Sequence, residues 1–501
     1  MSAAKHIRLG LPQPCLPFPR HLLSLGQWRA LLAALHDDPV LELLALWADP
    51  GQIHAVFQQP NEGLLLASVA VTEGQYPALS PVRPGAIRFE RMIRDLWGHI
   101  AEGAADARPW LDHGRWPSTA PMSPRPTANT TAPPQPDFLA AEGEGVHQIP
   151  VGPIHAGIIE PGHFRFHVQG ETVVRLEARL GYLHKGTLSL MLGKSPRLAA
   201  RFAARLSGDS TVAHGWAFAS AAEQALGVVV PPRAVLLRAV AAELERLHNH
   251  LNDWGAACND ASFAYLHARC GALREGVLRA AALAFGHRLM MDLVVPGGVA
   301  VDIAPGGAEA ILAVLHTVAQ ELPTLTKIYD SHASLQDRVV GTGCVTPELA
   351  RLFAAGGPVG RASGRAFDSR KLPGYAPYNT MAFSVPVLAA GDVDARLRLR
   401  LAEVEQSLAL VESLLERLTP GELRVDLPQA GGEGVGLVEA FRGDTLHWLQ
   451  LDDGGLIRAV FMRDQSWLQW PLLEAAMLDN IVADFPLCNK SFNCSYSGVD
   501  L

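Results

Sequence analysis

A proline-rich segment divides this chain of 501 residues into two unequal blocks. Between Pro117 and Asp137, seven of 21 residues are proline, and an acidic stretch containing glycine follows. Such a composition favours an extended polyproline II conformation and works against helices and central strands. We therefore predict a linker over residues 117–144, a first domain over residues 1–116 and a second domain over residues 145–501.

Charge and composition indicate a folded protein with a large core. The chain carries 42 Lys and Arg against 50 Asp and Glu, a net charge of −8, and 49% of its residues are hydrophobic. These values exclude a disordered chain. They also argue against a nucleic-acid binder, which needs a basic surface. The six cysteines are scattered and include no Cys-x-x-Cys pair, so we expect a reducing compartment.

No run of about eighteen uncharged apolar residues occurs, so no transmembrane segment is expected. The start, MSAAKHIRLGLPQPC, lacks the apolar core of a signal peptide. We expect a soluble protein that docks on a membrane partner.

Hydrophobic periodicity predicts an α+β first block. Apolar runs at 54–59 and 63–71 are typical of strands. A later stretch has apolar residues at helical spacing, namely Phe89, Met92, Ile93 and Leu96.

The second block has a mainly helical pattern with peripheral strands. HFRFHV and TVVRLEARL predict a hairpin with its turn at 169–171. A helix is predicted to start after Pro231 and Pro232 and to stop at Gly255. Further helices are expected over 308–340 and 394–418, and strand-like runs over 422–463. The predicted fold class is α+β: a mainly α large domain with peripheral β elements, preceded by a small α+β domain.

The common catalytic motifs are missing. Six residues separate Gly186 from the Gly193-Lys194-Ser195 sequence, whereas a phosphate-binding loop has four residues between its glycine and the Gly-Lys-Ser sequence. There is no nucleophile elbow and no zinc-type pair of cysteines. Glu245 and His248 have the i, i+3 spacing of a di-iron helix, but no second helix of this kind exists. A helix with a polar face, or hydrogen bonds between helices, is therefore favoured over a metal site.

Several motifs of the second block resemble the large subunit of group 4, energy-converting NiFe hydrogenases and the related 49-kDa subunit of respiratory complex I. The motifs are GPIHAGIIEPGHFRF, LGYLHKGT, AAELERLHNHL, CNDASFAY, GHRLMMDLVVPGGVAVD, GRASGRAFDSRKLPGYAPY and FSVPVLAAGDVDARLRLRLAEVEQS. In the first block, FERMIRDLWGH and ADARPWLDHGRWP resemble the complex I 30-kDa subunit. The fusion of the two units is typical of large subunits of the formate-hydrogenlyase and hydrogenase-4 type.

The resemblance implies where a nickel–iron centre would be held, and the ligand positions are degenerate. The family uses four thiolates, because soft, polarisable sulfur binds these metals and a serine hydroxyl is a poor substitute. Here the matching positions are Ser207, Ser210, Ser491 and Cys494. We also expect no histidine-bearing processed tail at the C-terminus. The prediction is that this chain holds no metal and no other cofactor of its own, with Cys494 a packed free thiol.

The quinone-binding residues of the complex I relatives are also replaced. The resemblance places Ile159 and Gly208 at the histidine and tyrosine that contact the quinone headgroup. Glu160 matches the glutamate at which hydrogenases begin their proton path. If Glu160 lay in an apolar pocket, its pKa would be raised and it could relay protons. We therefore name Glu160, His155 and His184 as candidate proton-relay residues, with structural roles as the alternative.

Arg361, Arg365 and Asp368 form a further candidate group. A buried arginine is costly unless it is paired, so Asp368 is the natural partner of these arginines. We predict a structural ion network in a cavity wall and favour it over ligand binding.

The resemblance implies a subunit of a membrane-bound, ion-translocating oxidoreductase complex that couples electron transfer to proton movement. The implied partners are a small iron–sulfur subunit that carries a four-iron cluster and antiporter-like subunits of a membrane arm. The expected location is peripheral, on the cytoplasmic face of the membrane. Two alternatives stay open: reduction of a quinone or another small acceptor in the former metal cavity, and a non-catalytic scaffold or assembly role.

Overall fold

The computed structural model describes residues 1–60, 62–130, 137–157 and 159–501. The helices are α1 Ala3–Arg8, α2 Leu25–His36, α3 Ile87–Trp97, α4 Thr187–Met191, α5 Pro196–Ala203, α6 Thr211–Leu226, α7 Pro232–Asp260, α8 Ala264–Phe285, α9 Gly307–Ser331, α10 Ala333–Val339, α11 Pro347–Leu352, α12 Gly357–Ala362, α13 Val393–Glu416, α14 Ser466–Ala476, α15 Phe485–Phe492 and α16 Ser497–Asp500. The strands are β1 Leu11–Gln13, β2 Arg20–Leu23, β3 Glu42–Ala48, β4 Gln52–Gln59, β5 Gly63–Ala70, β6 Gln75–Pro77, β7 Ile100–Glu102, β8 Ser118–Thr119, β9 Thr127–Ala128, β10 Val146–Val151, β11 His163–Gln169, β12 Thr172–Arg179, β13 Val294–Val295, β14 Gly298–Val299, β15 Gly432–Ala440, β16 Gly443–Leu451 and β17 Ile457–Arg463.

The first block is built on a mixed five-stranded sheet in the order β1-β2-β5-β4-β3. The β2–β5 pair is parallel and the other pairs are antiparallel. Helix α2 begins at Ser24, whose hydroxyl accepts from Gln27 N while the Gln27 side chain accepts from Ser24 N, which satisfies two free amides. The four apolar residues predicted to line α3 are all buried. The predicted α+β class is confirmed for this block.

The second block combines a small sheet with long helices, as predicted for the class. Strands β11 and β12 form the predicted hairpin, and β10 adds a third antiparallel strand. A second three-stranded sheet, β15-β16-β17, lies against α6. A Cβ atom on Gly434 or Gly436 would lie 2.1 or 2.0 Å from a carbonyl oxygen of α6, so only glycine permits this approach of strand to helix.

The prediction that a helix stops at Gly255 is wrong, because α7 continues to Asp260. Gly255 lies inside α7 and faces α8, where its added Cβ would be 2.8 Å from Cys270 Cβ. The glycine therefore serves close packing between two helices rather than helix termination. In the sequence, a glycine that lets two helices pack closely looks the same as a glycine that ends a helix. This is why the sequence favoured a stop.

Charged pairs join the first block to the second. Arg20 of β2 donates to both carboxylate oxygens of Glu433 of β15, at 2.7 and 2.8 Å. In the linker, β8 pairs with β9, and residues 131–136 lie outside the described residues. The division of the chain at 117–144 stays a prediction. Within the described ranges, no helix is both long and apolar enough to cross a bilayer.

Candidate functional site

The two serines at the first pair of ligand positions lie in the turn between α5 and α6. Ser210 directly precedes α6, and both Ser207 and Ser210 are buried. The Ser207 hydroxyl donates to Asp209 Oδ1 at 2.9 Å and shares a 2.8 Å hydrogen bond with the hydroxyl of Ser495. The turn thereby contacts the C-terminal segment of the chain, 288 residues away.

An arginine lies between these serines. Arg442 is in the two-residue turn between β15 and β16, and its Nη1 lies 3.4 Å from Ser207 Oγ and 3.3 Å from Ser210 Oγ. The same nitrogen donates to Asp209 Oδ1 at 2.7 Å, and Nη2 pairs with Asp209 Oδ2. Burial raises the pKa of Asp209, but the Arg442 guanidinium outweighs this effect and holds the pKa below its ordinary value. A fixed cation therefore occupies the space between the two hydroxyls.

The second pair of positions is also committed to protein contacts. Ser491 Oγ donates to the Cys488 carbonyl at 2.7 Å and accepts from Arg396 Nε at 2.9 Å. Burial raises the pKa of the Cys494 thiol well above its ordinary value, and the neighbouring Arg442 only partly opposes this. Cys494 is a buried free thiol.

This donor set does not fit a nickel–iron centre. Three of the four positions supply hydroxyl oxygens, and only Cys494 supplies a sulfur. The Arg442 cation, at 3.3 to 3.4 Å from two of the positions, would repel a metal cation there. Among the described residues, no group of three or more His, Cys, Asp or Glu side chains is arranged to hold a metal ion.

A buried carboxylate–imidazole chain lies behind the serines. His214 Nε2 is 3.1 Å from Asp464 Oδ2, and His214 Nδ1 is 3.0 Å from His447 Nε2. Because an ionised carboxylate only accepts, the His214 Nε2–H donates to Asp464. The second contact joins two ring nitrogens, one of which donates to the other. Burial raises the pKa of Asp464, but His214 and Arg442 outweigh it and leave the pKa far below its ordinary value.

Asp253 of α7 is a site residue that the sequence did not indicate. Its Oδ1 accepts from Asn493 Nδ2 at 2.9 Å, and its Oδ2 accepts from Arg400 Nε at 3.2 Å. Asp253 thus ties the C-terminal segment to two of the long helices. Asp253 lies in a helix stretch that also carries several histidines and asparagines, so the sequence gives little signal of such a role. The signal is stronger for Arg442, because this charge lies in a two-residue turn between two strands whose residues are mostly buried.

The candidate relay residues are not gathered into one cluster by hydrogen bonds. His155 Nε2 bonds to the Gly162 carbonyl at 2.7 Å, and His184 Nδ1 bonds to the Asp500 carbonyl at 2.7 Å. Glu160 is exposed and accepts a long bond of 3.4 Å from Ser497 N. The condition of an apolar pocket around Glu160 is therefore not met. The relay role of the three residues stays a prediction.

Asp500 is a second carboxylate that sequence reasoning missed. It is fully buried and accepts from Gly181 N at 2.7 Å and Leu183 N at 2.8 Å. Burial raises its pKa to about 6, although these two bonds and Lys185 lower it. Asp500 is close enough to Glu160 and Lys185 for their charges to affect its pKa. Because Asp500 is also buried, it is better placed than Glu160 to serve in a proton relay.

The predicted arginine network is larger than the sequence indicated, and one pairing is different. Arg361 is fully buried and bonds Glu403 at 2.5 Å and Glu439 at 2.8 Å, with Asp368 farther away at 3.6 Å. Asp368 pairs more closely with Arg370, at 2.6 Å. Asp368 is not the partner of Arg365: that arginine instead bonds Glu42 of the first block at 2.6 Å. Glu42 lies 323 residues away in the sequence, which made the pairing invisible to local reasoning.

Glu245 and His248, the pair with di-iron spacing, serve different neighbours. Both Glu245 oxygens accept from the first amides of α6, Val212 N at 2.7 Å and Ala213 N at 3.0 Å. These are the interhelical hydrogen bonds favoured from the sequence. Burial lowers the pKa of His248 to about 3, so this imidazole is neutral at physiological pH.

Comparison with known proteins agrees with this architecture. The family model described as the 49-kDa subunit of respiratory-chain NADH dehydrogenase matches residues 266–431. Formate hydrogenlyase subunit 5 of Escherichia coli (strain K12) is 30% identical over 446 residues, which cover 86% of this chain and 78% of that protein. Hydrogenase-4 component G of the same organism is 29% identical over 449 residues, 87% of this chain and 77% of that protein.

A solved structure extends the likeness to the fold. A chain of the membrane-bound sulfane sulfur reductase, an archaeal respiratory membrane complex, superposes with a TM-score of 0.68 at 24% identity, over 72% of this chain and all of that chain. Fold and sequence together define the class of hydrogenase-type large subunits. The chain belongs to the family of group 4 hydrogenase large subunits and the complex I 49-kDa subunit.

Proposed function

We propose that this chain is a peripheral subunit of a membrane-bound, ion-translocating oxidoreductase complex and takes part in electron transfer coupled to proton movement. Relatives with this fold include formate hydrogenlyase subunit 5 and a subunit of NADH-quinone oxidoreductase. The further part of the proposal is that the chain holds no nickel–iron centre. The observation that carries this part is the Arg442–Asp209 pair, which lies between Ser207 and Ser210.

The chain's own contribution is a framework of fixed charges and titratable groups around the former metal position. The Arg442 cation holds Asp209 ionised, and Asp464 holds His214 in one tautomer. The chain contributes no redox group to this proposal, so electrons would have to pass through a partner. We assign that role to a small iron–sulfur subunit with a four-iron cluster.

An exposed apolar loop supports a place for this partner. Ile154 is 80% exposed and Ile159 is 45% exposed, and the loop between β10 and β11 that carries them also carries His155 and Glu160. These two exposed isoleucines on one loop are the observation that supports it as a contact with a partner. We assign this loop to the iron–sulfur subunit, and we place the complex on the cytoplasmic face of the membrane with antiporter-like subunits in its membrane arm.

Affinity purification of the tagged chain from native membranes tests the assignment. We expect the iron–sulfur and membrane subunits to co-purify, with iron from the four-iron cluster and without stoichiometric nickel. Stoichiometric nickel together with hydrogen evolution would overturn the metal-free part. Co-purification with maturation factors alone would favour the scaffold alternative.

Introducing a charge in the loop tests the placement of the partner. The substitution Ile154→Glu should release the iron–sulfur subunit, because burying an unpaired carboxylate at an interface is costly. Val229→Glu is the matched control, since Val229 is 86% exposed on another surface. Retention of the iron–sulfur subunit by the Ile154→Glu variant would show that the loop is not the contact. No contact among the described residues favours the quinone-type alternative over this proposal.

A further inference from the structure

A cavity of about 440 Å³ lies between the two blocks. Its walls come from α3 and the residues after it, from β12, and from α14. The volume is in the range of small-molecule sites, which occur preferentially where two structural units meet. Helix α14 separates this cavity from the C-terminal segment, where Trp470 donates to the Ser495 carbonyl at 3.1 Å.

The cavity wall contains one more cation than anions. The arginines that line it are Arg88, Arg91, Arg108 and Arg175, and the carboxylates are Asp106, Glu177 and Glu474. The first three arginines are paired with these carboxylates, at 2.8 Å for Arg88 with Glu474, 3.3 Å for Arg91 with Asp106 and 2.6 Å for Arg108 with Glu177.

Arg175 is the unpaired cation. Its Nη1 donates to the Ala140 carbonyl at 2.5 Å, and no carboxylate of the described residues pairs with it. The residues outside the described ranges include none with a charge, so they cannot supply a partner either. Arg175 is half-buried, which leaves its guanidinium accessible from the cavity side.

Arg88 adds an unsatisfied donor to the same wall. The residue is 6% exposed, and its Nη1 has no acceptor among the described residues. The guanidinium is stacked over the Trp110 ring at 4.7 Å, which fixes its plane. Burial raises the pKa of Glu474, and the Arg88 charge opposes this.

The remaining lining is apolar. Large apolar side chains at the cavity remain exposed, with Leu139 at 51%, Leu478 at 44% and Val174 at 39%. Exposed apolar residues around a concave site favour a ligand with an apolar body.

We propose that this cavity binds an amphipathic monoanion, an oxyanion group on an apolar chain. Arg175 binds the oxyanion, the positive potential of Arg88 orients it, and Val174 and Leu478 contact the chain. Either a free long-chain carboxylate or an anionic lipid presents this chemistry.

Calorimetric titration of the full-length protein with decanoate tests the site. One decanoate should bind per chain, and decanol should bind at least about tenfold more weakly, since a charge-assisted hydrogen bond contributes about this factor. Arg175→Gln should weaken decanoate binding about tenfold. Ala475→Phe should abolish it by filling the cavity without a change of charge.

Arg279→Gln is the control, because this side chain is 79% exposed on α8, outside the cavity lining. It should bind decanoate like the parent protein. Flotation with phosphatidylglycerol vesicles separates the two sources: vesicle binding that Arg175→Gln removes assigns the site to a lipid, and decanoate binding alone assigns it to a free carboxylate. The proposal is overturned if neither ligand binds, if decanol binds as tightly as decanoate, or if both cavity variants bind like the parent.

Discussion

Arg442 and Asp209 form a two-pronged ion pair between the hydroxyls of Ser207 and Ser210, with Arg442 Nη1 2.7 Å from Asp209 Oδ1. The resemblance implies that Ser207 and Ser210 stand at two of the four metal-ligand positions of the family. At these two positions the chain therefore has a fixed guanidinium cation between two hydroxyls. The site keeps its buried shell, and its charges are satisfied within the protein.

The first prediction concerns the stability that this pair contributes. Arg442→Met should lower the free energy of unfolding by about 2 kcal/mol, because it leaves Asp209 without its charge partner and removes a buried donor. The Asp209 side chain is 39% exposed, so the cost stays below that of a fully buried pair. Urea denaturation measures the difference. Arg205→Met, which breaks a pair exposed on both sides, should cost less than about 1 kcal/mol, and equal costs would contradict the role of Arg442.

The second prediction concerns thiol reactivity. Iodoacetamide should alkylate Cys344 at least about tenfold faster than Cys494, because Cys344 is exposed and Cys494 is buried with a raised pKa. Peptide mass spectrometry of partly modified protein gives both rates in one sample. Comparable rates would mean that Cys494 is an accessible thiolate able to bind metal, which would weaken the metal-free proposal.

The third prediction concerns proton coupling. Glu160→Gln should lower the proton-coupled turnover of the purified complex about tenfold or more, as expected for loss of a general acid or base. Its stability should change by less than about 0.5 kcal/mol, because Glu160 is exposed and makes one long hydrogen bond. Glu171→Gln, in the exposed turn of the hairpin, should leave turnover unchanged. Full turnover in the Glu160→Gln variant would remove this residue from the relay.

The fourth prediction concerns pH dependence. Burial lowers the pKa of His248 to about 3, whereas the unfolded chain takes up this proton near its ordinary value of 6.5. Between these values the unfolded state binds one more proton, so the contribution of His248 to stability falls as the pH falls, by about 1.4 kcal/mol per pH unit. Denaturation at about pH 6, 5 and 4 should show this slope removed in His248→Gln. The exposed His316→Gln variant should keep the parent slope, and an unchanged slope in His248→Gln would show that the histidine is not held neutral.

The fifth prediction uses two glycines in the helices α7 and α8. Gly255→Ala should destabilise the protein by about 1–3 kcal/mol, because the new Cβ would lie 2.8 Å from Cys270 Cβ. Gly271→Ala should instead stabilise it by about 0.5–1 kcal/mol, since no atom lies within 4 Å of the added carbon and alanine favours a helix. Thermal and urea denaturation give the signs, and effects of the same sign would refute the packing role of Gly255.

Local elements were largely predictable. The hairpin of β11 and β12, the buried face of α3 and the long helix α13 follow from patterns that span a few residues. The boundary of α7 was not predictable, because a glycine inside a helix and a glycine that ends one look alike until the neighbouring helix is in place.

The sequence by itself indicated the fold class, the family and most local elements, because residue types and short periodicities are written along the chain. It also placed serine at three of the four ligand positions that the resemblance implies. The tertiary structure decided what surrounds those positions. Arg442 and Asp209 are 233 residues apart, and Arg365 and Glu42 are 323 apart. Such pairs depend on which strand turn meets which helix end, and burial then fixes their charges. The exposure of Glu160 and the burial of Asp500 were decided in the same way, by how the C-terminal segment packs against the rest of the fold.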